Sequence, residues 1–208
     1  MELAKLLDPK TTAILCMEMQ RGVVGDLKMP AHRALGEAVY EAGIPARLAK
    51  LMDAGRRAGA QVVYCNAVKR ADHKGAFMNT PLLVQTAAMP DFLREGTPPT
   101  EIIPELRVDA ADLVSARYHG FSPFTETSLD ITLRTLGIRT IVATGVSLNR
   151  GIAAMTFEGV SRGYHVVVAR DCVAGLPAEY ARSVIEYGLA AISTIADAAA
   201  IEAAWAQA

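Results

Sequence analysis

The chain has 208 residues, 51% hydrophobic and 21% charged, with a formal net charge of -1. That length supports one well-buried domain, read here as residues 1–208, and a near-neutral balance without a basic run excludes a nucleic-acid binder. No run of about 18 apolar residues is present to span a bilayer, and no long apolar segment follows Met1-Glu-Leu-Ala-Lys5 to make a signal peptide.

The chain then alternates strand-like and helix-like segments. Thr12-Ala-Ile-Leu-Cys-Met17 is a short apolar run, read as the first strand. Ala34 to Ala58 carries apolar residues at helical spacing, interrupted near Gly43 and Pro45 and ended by Gly59. Gln61-Val-Val-Tyr-Cys65 reads as the second strand, and Asn66 to Leu106 as a long loop that covers a site or makes an interface. Ala111 to Ser115 reads as the third strand, Ser128 to Leu136 as a helix, and Arg139 to Thr144 as the fourth strand. A helix from Asn149 to Arg162, a strand from Tyr164 to Ala169 and a helix from Ala178 to Ala191 follow. Ile192 to Ile195 and Ala196 to Ala206 give a short sixth strand and a final helix. Continuous apolar strands between helices predict an α/β fold: a three-layer α/β/α, Rossmann-like sandwich with a six-stranded parallel sheet. Such folds bind ligands beyond the carboxyl ends of the strands.

Candidate chemistry therefore sits just after each strand. Glu18, in Cys16-Met-Glu-Met-Gln20, is a carboxylate at a central strand end, where partial burial suits it to proton transfer. Arg117-Tyr-His-Gly-Phe-Ser-Pro-Phe124 puts a cation, a phenol and an imidazole in one loop. Arg117 offers a planar fork for an anion. In Gly145-Val-Ser-Leu-Asn-Arg-Gly151 the position where a helix begins, often the mount of a nucleophile, is a glycine. Backbone N–H groups at Arg150 and Gly151 are expected to face the cleft and bind an anion or oxyanion. Asn149 is a candidate helix cap, and Ser147 is a hydroxyl without an evident base. Glu18, Arg117, Tyr118 and Gly151 are thus the candidate catalytic positions. Gln20, His119, Phe124, Ser147, Asn149 and Arg150 are the candidate substrate contacts. Cys16, Cys65 and Cys172 form no close pair and read as reduced thiols of a cytosolic protein, Cys16 within the core and Cys172 as a candidate for the rim of the site. The four histidines lack metal-ligand spacing, so neither a metal nor another cofactor is expected.

Together these segments resemble the isochorismatase-like cysteine hydrolase family, nearly end to end, from about Thr12 to Ile195. The resemblance lies in Thr12-Ala-Ile-Leu-Cys-Met-Glu-Met-Gln20, Ser122-Pro-Phe-Thr-Glu-Thr-Ser-Leu129, Leu136-Gly-Ile138, Thr144-Gly-Val-Ser147 and Gly163-Tyr-His-Val-Val-Val168 with Asp171 after it. It implies a catalytic aspartate, lysine and cysteine, at which this chain has Glu18, either Arg117 or Tyr118, and Gly151. A thioester route is then closed, and what remains is general acid/base hydrolysis of a small anionic metabolite through Glu18, at a vinyl ether or a C–N bond. The alternative is a catalytically silent relative that binds a small molecule or a partner. The resemblance also implies a cis peptide at Val146-Ser147. With the apolar stretch Ala76 to Met89, it further implies a homo-oligomer, dimer or tetramer.

Overall fold

The computed structural model describes residues 2–89 and 91–206, and in it six parallel strands form one sheet in the order β3-β2-β1-β4-β5-β6. The strands are β1 (Thr12–Met17), β2 (Gln61–Ala67), β3 (Leu113–Arg117), β4 (Thr140–Val146), β5 (His165–Ala174) and β6 (Thr194–Ala196). The helices are α1 (Leu3–Leu6), α2 (Arg33–Glu41), α3 (Ile44–Ala58), α4 (Pro81–Ala87), α5 (Leu129–Thr135), α6 (Ala153–Ser161), α7 (Ala178–Ser183) and α8 (Ala198–Trp205).

The two central strands, β1 and β4, are buried at every residue, which is why they read as unbroken apolar runs. Successive side chains leave opposite faces of a strand, so the core is split in two. Ile14, Cys16, Tyr64 and Val142 pack under Leu48, Leu51 and Met52 of α3 and Ile201 and Trp205 of α8. Leu15, Met17, Val63 and Ala143 pack under Leu129 and Leu133 of α5 and Met155 of α6. The chain is therefore the α/β/α sandwich that the alternating pattern predicts.

The fifth strand runs on to Ala174 and the helix from Ala178 ends as an α-helix at Ser183, and three further readings shift. The interruption at Gly43 separates two helices: Gly43 adopts a left-handed φ of 66° and Pro45 lies in the first turn of α3, where its missing N–H costs nothing. The third strand runs to Arg117 instead of ending at Ser115, because β3 is an edge strand whose exposed residues alternate with partly buried ones and give a weak apolar signal. The long segment after β2 is not structureless: it carries α4, capped by the Thr80 hydroxyl on the Leu83 N–H.

The topology fixes where a site can form. The connection from β1 leads outward to β2 on one side, and β4 returns to pair with β1 on the other. The loops after β1 and β4 diverge from this switch point and leave a crevice between them. Gly145 makes the close crossing possible: its φ is 98°, and a Cβ there would lie 2.2 Å from the Met17 carbonyl oxygen.

Candidate active site

Glu18 and the segment Ser147–Gly151 flank that crevice, and both line one cavity of about 120 Å³. The remaining walls come from β3 and the residues after it (Arg117 to Phe121), from Ala67 to Lys69 after β2, from Val23, His32 and Leu35, and from Leu82, Leu83, Thr86, Phe92 and Leu93 of the long segment. A cavity of this size takes a small molecule.

Glu18 occupies the left-handed region, with φ 50°, and its N–H donates to the Cys65 carbonyl at 3.1 Å. A non-glycine residue held at positive φ is a local strain of the kind that collects at functional sites. That backbone turn lifts the carboxylate off β1 and into the crevice. Arg117 is the last residue of β3 and only 6% exposed. Its guanidinium reaches across the end of β2: Nη2 donates to Glu18 Oε1 and Nε donates to the Gly120 carbonyl at 3.3 Å. Nη1 donates to the Met17 sulfur at 4.0 Å. Of the two sequence alternatives for the cation after β3, Arg117 is the one that meets Glu18. Tyr118 lines the cavity, but its hydroxyl turns away to donate to Glu95.

Gly151 also lines the cavity and is buried. A Cβ there would meet Met17 Cε at 2.7 Å and Cγ at 3.3 Å. The methionine side chain of β1 thus fills the volume that a side chain at position 151 would need. The helix start is also unlike the sequence reading: Leu148–Ile152 is one turn of π-helix, after which α6 begins at Ala153. In that turn the Arg150 N–H donates to the Ser147 carbonyl at 3.1 Å, so, contrary to the expectation from the sequence, it is not available to an anion. The Val146–Ser147 peptide is cis, as the resemblance implies. Ser147 lines the cavity and donates to Asn149 Oδ1 at 2.8 Å.

Four sequence candidates lie elsewhere. Gln20 is fully buried and saturated: Nε2 donates to the Ala67 and Thr100 carbonyls, and Oε1 accepts from the Ala67 N–H. It ties the loop after β1 to the end of β2. Phe124 is 2% exposed and stacks on Tyr164 in the core beneath α5 and α6; Phe121 is the phenylalanine in the cavity wall. Asn149 caps nothing: its Nδ2 donates to the Leu176 carbonyl at 3.1 Å and holds the loop after β5. Cys172 is fully buried in the core and does not rim the site.

Lys69, in the stretch after the second strand where site residues are expected but given no role of its own from the sequence, stands two residues beyond β2 in the cavity wall. Its Nζ is buried without a hydrogen-bond partner, 5.0 Å from the centre of the Phe92 ring. Burial pushes its ammonium down to about 8. His32 Nδ1 and His119 Nε2 are also buried without partners. Burial lowers the His32 pKa, against the attraction of Glu18. Among the described residues Glu18 is the single acidic one in the wall, and it is matched by Arg117, so Lys69 and the exposed Arg150 leave the cavity electropositive. Among the described residues, no group of three or more His, Cys, Asp or Glu side chains is arranged to hold a metal.

Comparison with known proteins agrees with this architecture. The isochorismatase domain matches residues 12–200. The maleamate amidohydrolase of Pseudomonas putida is 26% identical over 148 residues, 70% of this chain and 68% of that one. The ureidoacrylate amidohydrolase RutB of Rhizobium rhizogenes is 24% identical over 200 residues, 88% of this chain and 78% of that one. The crystal structure of a cysteine hydrolase from Pseudomonas syringae pv. phaseolicola superposes with a TM-score of 0.82 at 21% identity, covering 97% of this chain and 95% of the other.

Proposed function

The chain belongs to the isochorismatase family of hydrolases, and from that premise we propose that it hydrolyses a C–N bond of a small anionic metabolite with water, not a protein thiol, as the nucleophile. The pairing of Glu18 with Arg117 inside the cavity carries this reading. A carboxylate paired with a guanidinium enters the cycle as a proton acceptor. Glu18 takes a proton from water while the water oxygen bonds to the substrate carbonyl carbon. The Nη1 donors of Arg117 face the charge that develops on the carbonyl oxygen. The carbonyl then re-forms, the C–N bond breaks, and the proton held by Glu18 passes to the leaving nitrogen. The amidohydrolase relatives support a C–N bond over a vinyl ether, whose cleavage would need Glu18 protonated at the start.

Cysteine has no place in this scheme. No cysteine lines the cavity among the described residues. Cys16, Cys65 and Cys172 are fully buried, and burial pushes Cys65 and Cys172 up to about 12. Buried free thiols fit a reducing, cytoplasmic setting. The exposed Phe77, Met78 and Val84 support assembly with further copies of the chain.

The test is a panel of amides, carbamoyl compounds and vinyl ethers, run on protein pretreated with iodoacetamide under native conditions. Unlabelled cysteines, with amide or carbamoyl turnover unchanged by the treatment, are expected. Turnover abolished by alkylation, or confined to vinyl ethers, would overturn the assignment.

A further inference from the structure

Lys69 is held firmly in place. Its N–H donates to the Leu93 carbonyl and its carbonyl accepts from the Glu95 N–H, both at 2.8 Å, which straps the end of β2 to the segment carrying Phe92. Phe92 is 7% exposed, and two basic side chains pack on it: the Lys69 ammonium at 5.0 Å from the ring centre and the His32 imidazole with ring centroids 5.1 Å apart. Neither Lys69 Nζ nor His32 Nδ1 has a hydrogen-bond partner. An ammonium shut away from water and left unpaired costs free energy that an arriving anion recovers. Around them Leu35, Val68, Leu82 and Leu83 give this part of the cavity an apolar lining.

We infer that Lys69 and His32, gathered on Phe92, form a carboxylate-binding subsite separate from the Glu18–Arg117 pair, and that its ligand carries the carboxylate on an apolar body. The ammonium supplies the counter-charge and rotates on its flexible stem toward the ligand. His32 hydrogen-bonds the second oxygen, and the leucines and Val68 cover the apolar part. The depressed pKa of Lys69 agrees with an amine that lacks its partner until a ligand arrives. This subsite rests on the proposed anionic substrate but needs no turnover, so it is tested by binding alone.

The experiment is titration calorimetry of wild type, Lys69→Met and Lys69→Arg at pH 7 with four probes: benzoate, butyrate and their uncharged amides, benzamide and butyramide. Wild type is expected to bind at least one carboxylate about tenfold or more tightly than its amide. Lys69→Met should abolish that preference and Lys69→Arg should keep it, with thermal unfolding reporting the intact fold of each. Lack of carboxylate preference in the wild type, or its survival in Lys69→Met, would overturn the subsite. Loss of turnover in a Glu18 variant that kept the wild-type binding preference would bear on the hydrolytic reading only.

Discussion

Glu18→Gln is expected to lower kcat by about 10²–10⁴ on any substrate the protein turns over, with KM changed far less. That is the range for removing a positioned general base. Gln has the same shape, tolerates the same backbone and accepts a hydrogen bond from Arg117, so the cavity should persist. Stability should fall by about 1–3 kcal/mol, because the buried guanidinium loses its counter-charge. In a chain of this size that is a shift of several degrees in Tm. The measurement is steady-state kinetics beside thermal unfolding. A kcat within tenfold of wild type would remove Glu18 from the chemistry.

Arg117→Met should act on both catalysis and folding. The guanidinium is 6% exposed and its partner carboxylate 19% exposed, so the truncation strands a largely buried charge. Breaking a buried pair from one side costs about 3–5 kcal/mol, and the residual exposure of Glu18 puts the expected loss near the lower figure. The kcat should drop by about 10²–10³ as the donors aimed at the oxyanion disappear. Arg117→Lys separates the two effects. It restores the charge opposite Glu18 and most of the stability, but its donors sit on a single nitrogen and do not span Glu18, the Gly120 carbonyl and a substrate oxygen as the planar fork does. Its kcat should stay well below wild type. Denaturant unfolding and kinetics on the three proteins test this, and full activity in Arg117→Met would refute it.

The sheet was legible in the sequence where strands are buried on both faces. Thr12–Met17 is bounded as read because every residue in it is apolar or small and enclosed. Legibility failed at the edge. Half of β3 faces water, so its end at Arg117, which sets the reach of the guanidinium, left no apolar mark. The candidate site was legible as a set of strand ends, since topology alone brings Glu18 and Gly151 to one crevice. Side-chain direction was not legible. Gln20 stands two residues from Glu18 yet spends its amide on Ala67 and Thr100, and Phe124, a candidate substrate contact, packs in the core while Phe121 lines the cavity. Lys69 was hidden for the same reason. Its place after the second strand was legible, but only the fold of a distant segment, bringing Phe92 over it, buries its amine.

Met17 gives the glycine at position 151 a physical counterpart. A thiol added there would have to displace the methionine's terminal methyl group. Glycine at position 151 leaves no side-chain nucleophile at the helix start, while Glu18 keeps its ion pair with Arg117.

The most direct test of a water nucleophile is the mass of the intact chain, 22.2 kDa, during turnover. The protein is mixed with a saturating amide or carbamoyl substrate, quenched in acid within the first few turnovers and weighed. The unmodified mass is expected at every time point while product accumulates. A transient adduct equal to the acyl portion of the substrate would contradict it.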